Sequence, residues 1–82
     1  MSERLILEGA LQEKKMKSME LATRAEGLIR AMKDALMPAS VMPLKDLRTG
    51  EVRLQAAELD DVRTEYLQLS KDMAEIKKEL GR

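Results

Sequence analysis

Cysteine, histidine, tryptophan and phenylalanine are all missing from this 82-residue chain. The absence of thiol and imidazole together excludes disulfides, thiolate nucleophiles, imidazole bases and the usual zinc ligands. Tyr66 is the single aromatic residue, so the bulky side chains that commonly fill a globular core or line a ligand pocket are not available. Net charge is absent too. Fifteen basic residues balance fifteen acidic ones, leaving no strong overall field to attract nucleic acid or anionic lipid. No stretch approaches the roughly 20 apolar residues of a membrane span. The opening residues, Met1 to Glu8, are broken by acids before the apolar run of a secretory signal can form. These exclusions lead to the expectation of a cytoplasmic, non-enzymatic protein with no cofactor, no metal and no membrane association.

What the chain does contain is periodicity. Val52, Gln55, Leu59, Val62, Tyr66, Leu69, Met73, Ile76 and Leu80 recur at alternating intervals of three and four residues. That mean spacing of about 3.5 residues keeps one narrow stripe turned toward a partner helix along its whole length. With 37% charged residues, the composition is that of long amphipathic helices rather than of disorder. The class is all-α. Eighty-two residues also lie near the size at which a single chain struggles to bury enough surface to fold alone, so help from a partner is expected.

The first helix is expected over about residues 2–36, with Ser2 as a candidate cap. Leu7, Leu11, Leu21, Ala22, Ala25, Leu28, Ile29, Met32 and Leu36 share its apolar face. Lys14, Lys15 and Ser18 interrupt this stripe, with the lysine stems lying along the seam and their charges reaching water. Gly27 on the opposite face either admits a second helix or sits in solvent, at about 1 kcal/mol relative to alanine. Pro38 and Pro43 then force the connection to turn. Residues 44–54 leave two structures open. A β-hairpin about Thr49-Gly50 would set Arg48 against Glu51 and Asp46 against Arg53. A short helix from Pro43 would instead break at Gly50, with Thr49 capping the long second helix. That helix runs from about residue 55, or from as early as Glu51, to 80, where Gly81 supplies a stop and Lys77 and Lys78 oppose the helix dipole.

A connection of this kind allows the second helix to return antiparallel, giving a single domain over 1–82: a coiled-coil hairpin with a β-hairpin or kinked turn at its tip. In the register adopted, facing residue numbers sum to about 87. Leu7, Leu11, Leu21, Ala25, Leu28 and Met32 then meet Leu59, Val62, Tyr66, Leu69, Met73, Ile76 and Leu80. A two-helix hairpin has only one seam. Leu5, Met16 and Met19 on the first helix, with Leu54, Leu67 and Ala74 on the second, lie off it and form a candidate surface for self-association into a dimeric four-helix bundle.

Chemical signatures are sparse. Glu58, Asp60, Asp61 and Glu65 form an acidic cluster that reads as a solvated helix flank rather than a divalent-cation site. Lys14, Lys15, Lys17, Arg24, Arg30 and Lys33 are the candidate polyanion contacts, but acids interleave them and no aromatic is present to stack on bases. The leading expectation is a self-associating interaction module, a scaffold, adaptor or small regulator that binds itself and another protein. The first alternative is a nucleic-acid-associated accessory protein using the basic side of the first helix. In the second, two helices joined by a β-hairpin resemble the general plan of a prefoldin subunit, which implies a small holdase chaperone.

Overall fold

A computed structural model describes residues 2–36 and 43–82. Helix α1 (Glu3–Leu36) is nucleated where the Ser2 carbonyl accepts the amides of Leu5 and Ile6. It then continues without a proline. Its 34 residues extend about 51 Å at 1.5 Å per residue, which accounts for most of the molecule's 63 Å long axis. The turn expected at Pro38 lies outside the described residues. The chain re-enters at Pro43, whose extended backbone leads into a short 3-10 turn, Leu44–Asp46. Helix α2 (Thr49–Glu79) begins after Leu47 and Arg48.

The tip corrects two expectations. Among the described residues there is no strand, and the β-hairpin about Thr49-Gly50 does not form. Arg48 and Glu51 do pair, at 3.4 Å, but as neighbours one helical turn apart rather than across a ladder. An isolated two-stranded hairpin is marginal in water, whereas continuing α2 backward places Val52 and Gln55 on the seam already established by Leu59. The helix therefore begins at Thr49, two residues before Glu51, the earliest start expected. Its break falls at Leu47-Arg48 rather than at Gly50, and Thr49 is the first helical residue with no side-chain cap formed at this end. The likeness to a prefoldin subunit rested on that β-hairpin and loses its defining element.

At the other end, Gly81 adopts a φ of 79°. The Gly81 amide donates to the Lys78 carbonyl and the Arg82 amide to the Lys77 carbonyl, which is the paired closure of a Schellman motif, with glycine at its left-handed position.

The two helices pack antiparallel as a hairpin. Leu7 and Leu80 line one shared groove, and Leu21 and Ala25 share another with Val62 and Tyr66. Those facing numbers sum to 87. Leu11, Leu21, Ala35, Val62 and Leu80 are buried, while Leu7, Ala25, Leu28, Met32, Leu59, Leu69, Met73 and Ile76 are half-buried. Ala22, Ile29 and Leu36, expected in the α1 stripe, are exposed, Ile29 at 39% and Leu36 at 46%. The cause is the 3.5-residue period. It carries the seam from Leu28 through Met32 to Ala35, and Ile29 and Leu36 fall one position past it.

Replacing Leu21 by alanine removes one of the few buried leucines and is expected to lower unfolding free energy by about 2–5 kcal/mol in urea titration. Gly27 is exposed and has nothing within 4 Å of where a Cβ would stand. Gly27→Ala is therefore expected to raise stability by about 0.8–1 kcal/mol in the same assay; a loss would mean that another helix approaches there.

Candidate interaction surface

The seam divides the hairpin into two flanks of opposite chemistry. On α2, the residue preceding a seam position is acidic five times over: Glu51, Glu58, Glu65, Asp72 and Glu79, each seven residues from the next. On α1, Lys17 and Arg24 occupy the equivalent preceding positions. The structure joins them, with Lys17 Nζ 4.0 Å from Glu65 Oε1 and the Arg24 guanidinium bonded to Glu58. Lys14 adds a contact of 3.7 Å to Asp72, whose other oxygen accepts from Gln68 Nε2 at 2.9 Å. Interhelical pairs beside an apolar seam set orientation and register. Being exposed, they contribute only about 0–1 kcal/mol each.

This arrangement settles where several candidate residues lie. Three of the six candidate polyanion contacts, Lys14, Lys17 and Arg24, are turned toward acids of α2, while Lys15, Arg30 and Lys33 are exposed. Within the acidic cluster, Glu58 and Glu65 serve α1's bases, and Asp60 and Asp61 face solvent. Among the described residues, no group of three or more metal-binding side chains is gathered at one point. No helix among them is long and apolar enough to cross a membrane.

The opposite flank carries residues that come one position after the seam. On α1 these include Ala22, Ile29 and Leu36, and on α2 they are Ala56, Arg63, Ser70 and Lys77. Few of these side chains are long enough to close over the seam. An apolar groove of about 400 Å³ opens there between Leu21, Ala22, Ala25, Leu59, Val62, Arg63 and Tyr66, and Tyr66 is 41% exposed as a result. Its volume falls within the roughly 300–1,000 Å³ of small-molecule sites. It is nevertheless open along its length and lacks the convergent polar groups such sites use to orient a ligand.

Of the six residues expected to form an oligomer surface, Leu5 and Met19 lie one helical turn from the open flank of α1, and Leu67 and Ala74 one turn from that of α2. Leu5, Met19 and Leu67 are 64%, 66% and 49% exposed. Met16 points to the back of α1, and Leu54 sits on the acidic side of α2. Leu5, Met19, Leu67 and Ala74 therefore lie along one flank, and Met16 shares a surface hollow with Met19. Sequence inspection alone missed this asymmetry, though the signal was present: the acids at seven-residue intervals mark the closed flank, and Ala22, Ala56 and Ser70, one position after the seam, leave room on the other.

Comparison with protein-family models, with curated proteins and with solved structures finds no match to this chain.

Gln55 is the one polar residue on the α2 seam. Its Oε1 is buried with no hydrogen-bond partner among the described residues. An unsatisfied buried acceptor costs about 1–3 kcal/mol, so Gln55→Leu is expected to raise the urea midpoint. A lowered midpoint would show that the amide is satisfied in the working state of the protein.

Proposed function

We propose that this chain is a non-enzymatic coiled-coil interaction module that works as a self-associated helical bundle, a scaffold, adaptor or small regulator presenting its assembled surface to another protein. The observation that carries this reading is the uncovered flank. The hairpin buries five hydrophobic residues and leaves ten large ones exposed among those described, and one of these, Tyr66, lines an open apolar groove that Met19, Ile29 and Leu67 flank.

A helix that packs only through positions three and four apart makes a two-stranded coiled coil, whereas a helix in a bundle carries a wider apolar face including one flank of that seam. Part of that wider face is present here, as Ala22, Ile29 and Leu36 on α1 and Leu67 and Ala74 on α2. Leu, Ala and Met supply most of it, so close approach of another apolar helix face would remove carbon surface from water at about 25 cal/mol per Å². The polyanion reading is not carried forward, because half of its candidate bases are held against acids within the hairpin.

The test is solution mass by light scattering over a dilution series, with helicity followed by circular dichroism. Mass is expected at two chains in the micromolar range, with helicity falling as dissociation proceeds. Ile29→Glu combined with Leu67→Glu should abolish the two-chain species. A wild-type chain that stays monomeric and fully helical would overturn the reading.

A further inference from the structure

The open flank of α1 carries a pattern that is complementary to itself when reversed. Read outward from the point between Glu20 and Leu21, residues at equal distances on either side have numbers that sum to 41. Lys15 then corresponds to Glu26, and Glu8 to Lys33. The apolar positions correspond as well, Leu5 with Leu36 and Met19 with Ala22. Lys15, Glu26 and Lys33 are exposed and make no ion pair among the described residues. Glu8 accepts from the Arg82 guanidinium through one carboxylate oxygen, at 2.6 Å, and keeps the other.

We propose that a second copy of this chain docks on this flank with α1 antiparallel to α1, the tips of the two hairpins at opposite ends of the bundle. The inference rests on the self-association reading above and adds the geometry. A two-fold interface requires that if one residue meets another, the second meets the first. Reversal of α1 satisfies that condition with opposite charges at both charged levels, each pair occurring twice. The hairpin register carries the same axis to α2, where it passes between Tyr66 and Leu67. The groove bounded by Leu21, Ala25, Val62 and Tyr66 thus lies beside the axis and is covered by the Met19 and Leu67 region of the second copy. With tips at the same end, α1 would instead face α2 of the second copy. Lys33 would then come level with Leu54, one residue from Arg53, bringing like charges close together.

Because the chain has no cysteine, cross-linking reads this geometry directly. Gln12 and Ile29 also sum to 41. Chains carrying Gln12→Cys and chains carrying Ile29→Cys are mixed in a thiol–disulfide exchange buffer. The expected product is the mixed disulfide, in excess over either homodimer, since like positions on opposed helices would be about 26 Å apart and a disulfide spans Cα atoms less than about 7 Å apart. In parallel, Lys15→Glu and Glu26→Lys should each raise the dimer dissociation constant about tenfold, from two weakened rim pairs, and the double exchange in one chain should restore it. If the wild type is dimeric but the two cysteine variants give no mixed disulfide, or give homodimeric disulfides in preference, the antiparallel docking is overturned and the self-association reading stands. A monomeric wild type overturns both.

Discussion

The structure depends on a single seam packed by aliphatic side chains. Leu11, Leu21, Ala35, Val62 and Leu80 are its buried members. With one tyrosine as the only aromatic, no large ring is available to fill the space between the helices. A 3.5-residue period holds the stripe in contact over the length of both helices, and the rest of the fold is the consequence of keeping it there: the Schellman closure that ends α2 at the level of Leu7, the early start of α2 that brings Val52 and Gln55 onto the stripe, and the exposure of Ile29 and Leu36 one position beyond it.

The two flanks of that seam divide the remaining tasks. On one, acids at seven-residue intervals on α2 meet bases on α1, which sets the antiparallel register without adding much stability. On the other, alanine, serine and isoleucine leave the seam open, and Leu5, Met19 and Leu67 widen the apolar band. Interhelical ion pairs line one flank, while the groove on the other is lined by Leu21, Ala22, Ala25, Leu59, Val62 and Tyr66 with Arg63 as its one charged residue. Among the α1 bases, Lys14, Lys17 and Arg24, those nearest the seam, pair with Asp72, Glu65 and Glu58.

Much of the fold was legible in the sequence because it is written in periodicity. The α2 stripe from Val52 to Leu80, the stop at Gly81 and the facing of Ala25 with Val62 need only the geometry of two helices and the preference for small residues opposite larger ones, whereas Tyr66, expected opposite Ala22, comes level with Leu21. The tip was less legible. Residues 44–54 contain opposite charges at spacings that serve a hairpin ladder and a helical turn alike, and Arg48 with Glu51 resolves into the latter because the helix gains a seam contact at Val52 that an isolated hairpin lacks. The handedness of the flanks was also hidden. An apolar stripe counted by intervals of three and four does not distinguish the side bearing Lys17 and Arg24 from the side bearing Ala22 and Ile29.

In the proposed assembly, one hairpin is half of the working structure. Small-angle X-ray scattering at micromolar concentration tests it in one measurement, because mass and longest dimension are read together. The account predicts the mass of two 9.3 kDa chains in a particle scarcely longer than the 63 Å hairpin, as face-to-face docking requires. A particle with the mass of one chain, or a two-chain particle close to twice that length, would contradict it.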